Sequence, residues 1–128
     1  MVPVKNNSTI LKTGAILGAL AVAIGAFGAH ALKDMLLESG RLDTYELAVR
    51  YQFYHALSLL AVGILIKENA SKFLRYSAWG FFLGCIVFCG SLYLLCFTGV
   101  KIFGAITPLG GVAFIAGWVF LFLGIAKK

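Results

Sequence analysis

Long apolar segments alternate with short polar joints along this chain, and together they make up most of its 128 residues. Each segment has about 19 to 23 residues, close to the roughly 20 that an α-helix needs to cross about 30 Å of hydrocarbon. The segments are approximately Thr13–Ala31, Leu47–Ile66, Tyr76–Phe97 and Gly104–Ala126. Because lipid offers the backbone no hydrogen-bond partners, each segment must form a helix. The pattern therefore predicts an all-α fold: an integral membrane four-helix bundle of up-down topology, forming a single domain over residues 1–128.

The joint between the first two segments, residues 32–43, has a pattern of its own. Three apolar residues share one face of a short helix there: Leu32, Met35 and Leu36. Charged residues occupy the other faces, so we expect a short amphipathic helix that lies at the membrane interface. Gly40 is suited to end this helix in a left-handed conformation. Asp43 and Glu46 then resemble a capping box, which predicts that the second spanning helix begins near Thr44.

Two residues in the fourth segment predict where its helix begins. Thr107 has a side chain suited to an N-cap, and Pro108 would then occupy the first turn. In the first turn, the missing N–H of proline costs no intrahelical hydrogen bond. The preceding helix is expected to end at Thr98 and Gly99.

Composition and charge agree with a membrane location. Hydrophobic residues make up 61% of the chain and charged residues only 12%, about half of what soluble domains carry. The formal net charge of +6 would suggest nucleic acid as the partner of a soluble protein. In a membrane protein, cations at helix ends set the topology and contact anionic headgroups. We therefore predict the lipid bilayer, and not nucleic acid, as the partner.

The distribution of basic residues predicts the orientation. With four crossings, one side of the membrane receives both termini and residues 67–75. That side carries seven basic residues: Lys5, Lys12, Lys67, Lys72, Arg75, Lys127 and Lys128. The other side carries four: Lys33, Arg41, Arg50 and Lys101. The positive-inside rule then predicts that the N- and C-termini are cytoplasmic. We expect the membrane to be the inner or plasma membrane of the cell.

Glycine recurs in the apolar segments at spacings that suit close helix packing. Small residues let helices approach one another in lipid. Seven glycines are predicted to lie at helix contacts: Gly14, Gly18, Gly80, Gly84, Gly110, Gly117 and Gly124. Because a chain this small buries little surface against itself, we expect glycine-rich faces to remain for a homo-oligomer or for a partner membrane protein.

The residue types that hold metals and cofactors do not form a site in this sequence. Cys85, Cys89 and Cys96 are spaced four and seven residues apart on one helical face, which matches no common zinc or iron–sulfur pattern. We interpret them as small packing residues. His30 and His55 differ by about 10 Å in expected depth, so one haem iron would not be bound by both. We predict no metal and no cofactor.

Polar residues within the spans are the candidates for a functional site. His55 lies about 16 Å along the helix from Ile66, near the membrane midplane, where an ionisable residue is costly. Such a histidine either serves a function or joins two helices through a hydrogen bond. Arg50 either contributes to the same site or pairs with Glu46 and extends toward the interface. We expect a shared polar pocket or network of seven residues that opens toward the non-cytoplasmic side: His30, Arg50, Gln52, His55, Ser91, Tyr93 and Thr107. The alternative for Ser91, Tyr93 and Thr107 is that they are polar residues of the helix packing.

Short motifs spread over nearly the whole chain carry a resemblance to one family. They are GAFGAHAL at residues 25–32, RYQFYHAL at 50–57, GSLYLL at 90–95, GAITPLGG at 104–111 and Gly117-Trp118. Together they resemble the small membrane proteins called domain of unknown function 423, related to transmembrane protein 256. The resemblance implies a four-helix integral membrane protein. It implies no activity, ligand or catalytic residue.

These observations favour a small polytopic membrane protein with a structural or accessory role, which oligomerises through its glycine-rich faces. The alternative is a pathway or binding site for a small solute or for protons that uses His55 and Arg50. A third hypothesis is an enzyme or cofactor carrier embedded in the membrane. We predict no enzyme, because the sequence contains no catalytic triad, phosphate-binding loop or paired intramembrane carboxylates.

Overall fold

The structure, a computed structural model, describes residues 6–126, which form helices and no strands. Four of the helices are long and apolar enough to span a membrane: α1 (Asn7–Ala29), α3 (Leu42–Glu68), α4 (Lys72–Thr98) and α5 (Ile102–Ala126). The short helix α2 (Lys33–Glu38) joins the first two of these. The prediction of an all-α membrane protein with four spanning helices is therefore confirmed. Three residues of the charge count, Lys5, Lys127 and Lys128, lie outside the described residues.

Polar caps extend two of the spanning helices beyond their apolar segments. The side chain of Asn6 accepts a hydrogen bond from the backbone N–H of Thr9 at 2.9 Å, so that α1 begins at Asn7. The hydroxyl of Ser71 accepts one from the N–H of Phe73 at 3.1 Å and caps α4. These caps satisfy N–H groups that the first helical turn leaves without partners.

The end of α2 follows the predicted geometry. Gly40 has a φ of +71°, in the left-handed region where glycine is unstrained. The N–H of Arg41 donates to the carbonyl of Leu36 at 2.9 Å, and the N–H of Gly40 donates to that of Leu37 at 3.1 Å. This pair of bonds is a Schellman motif. Leu36 is fully buried and packs near Tyr45, which anchors α2 against the bundle.

The predicted start of α3 at a capping box is wrong. The helix begins at Leu42, and its N-cap residue Arg41 makes no side-chain capping bond. The reason is the shortness of the joint: only three residues separate α2 from α3. The carbonyl of Arg41 already accepts the N–H of Tyr45 at 3.0 Å. Asp43 is therefore helical itself and lacks the extended backbone that an N-cap requires.

The predicted start of the last helix at Thr107 is also wrong, because α5 begins at Ile102 and contains Pro108 in its interior. Gly99, with a φ of +71°, ends α4 and reverses the chain at once. Helical hydrogen bonds then begin with the N–H of Phe103, which donates to the carbonyl of Val100 at 3.2 Å. Pro108 removes one N–H from the ladder, and the helix continues through it.

The four spanning helices lie side by side in the order α1, α3, α4, α5. The most extensive interfaces join α1 to α3 and α4 to α5, and the interface between α3 and α4 connects these two pairs. Buried residues are about twice as frequent in α3 and α4 as in the two outer helices. The core therefore runs along α3 and α4, whereas α1 and α5 leave most of their surface exposed.

The glycines lie between helices of the same chain. A β-carbon on Gly14 of α1 would lie 2.9 Å from the carbonyl oxygen of Ala56 in α3. A β-carbon on Gly80 of α4 would lie 2.8 Å from the α-carbon of Gly117 in α5. Gly84, Gly110 and Gly124 also face side chains or backbone of the neighbouring helix, and Gly18 is in ordinary contact with α3. This placement corrects the expectation that the glycine-rich faces are free for a partner.

One turn of α4 is wider than an α-helix. Residues Cys85–Cys89 form a π-helical turn between two α-helical parts. Its backbone approaches α5 so closely that a β-carbon on Gly110 would clash with the backbone nitrogen of Phe88. The thiols of Cys85 and Cys89 are buried in the helix packing. The wide turn thus presents the Phe88 side chain toward α3 and α5, and no sequence pattern predicted it.

Candidate functional site

His55 is buried in α3 and uses both ring nitrogens. Its Nδ1 lies 2.7 Å from the carbonyl oxygen of Tyr51, one helical turn earlier. The indole Nε1 of Trp118 in α5 donates a hydrogen bond to His55 Nε2 at 3.1 Å. These partners define a neutral imidazole with the proton on Nδ1. The ring also stacks on Phe114, with 3.6 Å between centroids and 10° between planes.

The close packing of α4 against α5 brings Trp118 to His55. Gly117 precedes Trp118, and the ring of Phe81 in α4 fills the space beside this glycine. The Phe81 ring lies 5.5 Å from the His55 ring and 4.9 Å from the Trp118 ring. Because a larger residue at position 117 would push α5 away, Gly117 indirectly holds the indole within reach of the imidazole.

A groove opens to the outer surface beside His55, between α3 and α5. We call it the lateral groove, and its volume is about 540 Å³. Three helices line it: Tyr51, Tyr54 and His55 of α3, Phe88 of α4, and Gly111, Phe114, Ile115 and Trp118 of α5. None of these residues carries a formal charge when His55 is neutral. The groove is therefore an aromatic site on the outer surface of the helices, about halfway along α3.

Gln52 joins three helices at the depth of the groove but on another face of α3. Its amide nitrogen donates to the carbonyl of Leu17 in α1 at 2.9 Å. Its amide oxygen accepts a hydrogen bond from the hydroxyl of Tyr93 in α4 at 2.8 Å. Gln52 is 4% exposed, so the amide lies inside the protein rather than in a solvent-filled space.

A second polar pair joins α4 to α5. The hydroxyls of Ser91 and Thr107 lie 2.6 Å apart. Thr107 also donates to the carbonyl of Phe103 at 3.1 Å, and Ser91 donates to that of Phe88 at 3.0 Å. A hydroxyl hydrogen makes one of these bonds at a time, so the pair shares its donors. This contact lies on the opposite side of α4 from Gln52.

The remaining predicted site residues lie at the surface. Arg50 is exposed and lines a separate cavity of about 260 Å³ between α1 and α3, together with Glu46 and Gly25. His30 is exposed at the end of α1, where its backbone N–H donates to the carbonyls of Ala26 and Phe27. The seven residues predicted as one network thus occupy separate contacts: His55 with Trp118, Gln52 with Tyr93, Ser91 with Thr107, and Arg50 and His30 apart from them.

The aromatic partners of His55 were not among the predicted site residues. Phe114 and Trp118 come from α5, and 63 residues separate Trp118 from His55. Nothing in the local sequence distinguishes them from other aromatic residues of a membrane helix. In the sequence, Trp118 stands out only as part of the motif Gly117-Trp118, one of those that carry the family resemblance.

The described part of the chain offers no other obvious centre of chemistry. Within residues 6–126, no three residues of the His, Cys, Asp and Glu types cluster as metal ligands. In the same range, every buried side-chain nitrogen or oxygen has a hydrogen-bond partner. The lateral groove is therefore the strongest candidate for a site.

Comparisons with other proteins agree on one family. The family model described as "Protein of unknown function (DUF423)" matches residues 24–111. A UPF0382 membrane protein of Staphylococcus saprophyticus is 47% identical over 121 residues, which cover 91% of this chain and 99% of that relative. A UPF0382 membrane protein of Bacillus subtilis is 43% identical over 115 residues, which cover 89% and 93%. No solved structure matches the chain.

Proposed function

Since this chain belongs to the DUF423 family, whose similar relatives are named as membrane proteins, we propose that it is an accessory membrane protein without catalytic or transport activity of its own. It offers the lateral groove to a partner or ligand within the lipid phase. The observation that carries this proposal is the direction in which the groove opens: its walls are aromatic, and its mouth lies between two membrane-spanning helices.

The hydrogen bonds behind the groove argue against a proton or solute pathway. A pathway needs polar groups with unused hydrogen-bonding capacity along a hydrated route. His55 has both ring nitrogens engaged, by Tyr51 and by Trp118. Gln52 is likewise engaged on both sides of its amide. These polar side chains act as ties between helices, which is the structural role expected of polar residues in lipid.

An assembly with a second copy or with another membrane protein would use outer faces of the bundle. The glycine contacts are filled within the chain, so they offer no room to a second helix. The faces of α1 and α5 that carry Val22, Leu109 and Phe122 are more than 60% exposed at these side chains. Homo-oligomers therefore remain part of the proposal, with an interface away from the glycines.

The fluorescence of Trp118 tests the proposal directly, because Trp118 lines the groove and bonds to His55. The chain contains two tryptophans, so Trp79→Phe leaves Trp118 as the sole reporter. In vesicles, we expect phospholipids brominated on their acyl chains to quench Trp118 strongly. A water-soluble quencher, iodide, should leave it nearly unchanged. Trp118→Phe, which leaves Trp79 outside the groove, is the matched control.

Two outcomes would contradict the proposal. Strong quenching of Trp118 by iodide would place water in the groove and support the pathway for protons or a small solute. Absence of quenching by brominated lipid would mean that the groove is closed to the bilayer. Proton flux into vesicles that depends on the protein and is lost in His55→Leu would also reject an accessory role.

A further inference from the structure

We propose that the lateral groove binds a planar, lipid-soluble ring that carries hydrogen-bond acceptors, the chemistry of an isoprenoid quinone. This inference rests on the proposed function, because it names the occupant of the groove that the function requires. Four features of the groove lead to this class of ligand: its access, its stacked rings, its free hydroxyl groups and its size.

Access restricts the ligand to molecules that dissolve in the bilayer. The mouth of the groove lies on the lipid side, where Ile115 is 65% exposed and Tyr54 is 52% exposed. No lysine, arginine, aspartate or glutamate lines it. A charged ligand would therefore lose its hydration without gaining an ionic partner, which is strongly unfavourable in hydrocarbon. The ligand must be neutral and must enter sideways from the lipid.

The walls of the groove are built for a flat molecule. Six of its eight lining residues carry aromatic or imidazole rings. The rings of Tyr51 and Phe88 are stacked, with 4.8 Å between centroids and 18° between planes. The rings of His55 and Phe114 are stacked even more closely. A planar ring can extend such stacks and gain contact energy that a flexible alkyl chain gains less effectively.

Two of the residues that line the groove, Tyr51 and Tyr54, carry hydroxyl donors that the protein itself does not use. Within residues 6–126, the hydroxyls of Tyr51 and Tyr54 bond to no other residue. Since no buried side-chain oxygen in that range lacks a partner, the Tyr51 hydroxyl must be accessible from outside. In hydrocarbon, a phenol without an acceptor is unfavourable. A ligand with carbonyl or ether oxygens would supply the acceptor.

The size of the groove and its surface shape favour a small ring over a protein helix. Its volume of about 540 Å³ lies within the range of about 300 to 1,000 Å³ that is typical of ligand pockets. A helix packs closely where the opposing surface is lined by small residues. Here only Gly111 is small, and the side chains of Tyr54 and Trp118 project beside it. An acyl chain would fill the space but would use neither the stacked rings nor the hydroxyls.

The experiment uses the full-length Trp79→Phe protein in lipid nanodiscs, with Trp118 as the reporter. A quinone with a ten-carbon tail is added, because quinones quench indole fluorescence on contact. We expect quenching that saturates, which indicates a site. Decyl acetate, a molecule of similar tail length with an acceptor but without a ring, should neither quench Trp118 nor compete with the quinone.

Two pairs of variants locate the site. Gly111→Leu should weaken quinone binding at least tenfold, because a β-carbon there meets only a ring carbon of Phe88 at 4.0 Å and the rest of the side chain enters the groove. Gly90→Leu is its control, since a β-carbon at Gly90 has no atom within 4 Å. Tyr51→Phe should weaken binding about three- to tenfold through loss of one hydrogen bond. Tyr76→Phe, outside the groove, should leave binding unchanged.

Each alternative result overturns the ligand class in a distinct way. Quenching that rises linearly with quinone and is equal in Gly111→Leu would indicate collisions in the bilayer and no site. Competition by decyl acetate would indicate an acyl-chain site. A change in oligomer size caused by Gly111→Leu, without quinone binding in the parent protein, would indicate that a second copy fills the groove. Quenching by brominated lipid tests the groove itself, so the proposed function survives if only the quinone fails.

Discussion

Gln52 shows how a single polar residue can be read in two ways from its sequence position. Its place near His55 in a membrane-spanning segment was compatible with a functional pocket. In the structure, its amide connects the carbonyl of Leu17 with the hydroxyl of Tyr93 and thereby joins α1, α3 and α4. His55 has a similar tie to Trp118, but one side of its surroundings forms the lateral groove. Both residues join helices through hydrogen bonds, and His55 differs from Gln52 because the lateral groove lies beside it.

The contribution of Gln52 can be measured with a double-mutant cycle. Interhelical hydrogen bonds in membrane proteins contribute about 0.6 kcal/mol on average. Gln52→Leu removes two such bonds and should lower the free energy of unfolding by about 1 kcal/mol. Tyr93→Phe should cost about half as much, and the double variant should cost less than the sum. Denaturation in detergent, followed by tryptophan fluorescence, provides the measurement. Strictly additive losses in the free energy of unfolding would contradict the role assigned to Gln52. An equally large loss of stability in the control Tyr54→Phe would contradict it too.

The pairing of α4 with α5 depends on glycines and on one π-helical turn. Gly80 and Gly117 allow the two backbones to meet, and Ser77 adds a hydrogen bond to the carbonyl of Gly117 at 2.7 Å. Farther along, Gly110 accommodates the wide turn at Phe88. This pairing places Phe88, Phe114 and Trp118 around His55. The site is therefore a consequence of how closely two helices approach.

Gly80→Ala tests this close approach. The added β-carbon would lie 2.8 Å from the α-carbon of Gly117 and 2.9 Å from the carbonyl oxygen of Ala113, so the helices must separate. We expect a loss of about 1 to 3 kcal/mol in the free energy of unfolding, typical of overpacking. Gly90→Ala, on the same helix but without atoms within 4 Å, should be neutral or slightly stabilising. Equal effects of the two substitutions on detergent denaturation would show that the contact between Gly80 and Gly117 does not limit stability.

In residues 6–126, the four long helices form a row whose outer members leave most of their surface exposed. In this row, His55 stacks on Phe114 and accepts a hydrogen bond from Trp118, and the lateral groove lies beside these residues, between α3 and α5. The orientation of this row in the membrane decides which leaflet lies nearest to the groove. Orientation is a property of charge distribution, because positively charged joints are retained in the cytoplasm.

We predict that both termini are cytoplasmic, from the seven basic residues on their side against four on the other. A green fluorescent protein fused after Lys128 should fluoresce in cells. Alkaline phosphatase fused at the same place should be inactive, since it needs an oxidising compartment to form its disulfides. Fusions placed after Gly40 should behave in the opposite way. An active phosphatase at the C-terminus would show that the protein has the opposite orientation.

The amino-acid order alone determined that this chain crosses a membrane four times as helices, because hydrocarbon thickness and backbone hydrogen bonding act on each segment independently. It also placed the turn at Gly40, since a left-handed residue is a local requirement. The start of α3 at Leu42 and of α5 at Ile102, the π turn at Cys85–Cys89 and the meeting of His55 with Trp118 all needed the folded molecule. The π turn and the meeting of His55 with Trp118 arise where residues far apart in the chain compete for the same space, whereas both helix starts follow from joints of only three residues. Local sequence patterns do not predict the outcome of that competition. The packing of α3, α4 and α5 determines it and forms the lateral groove.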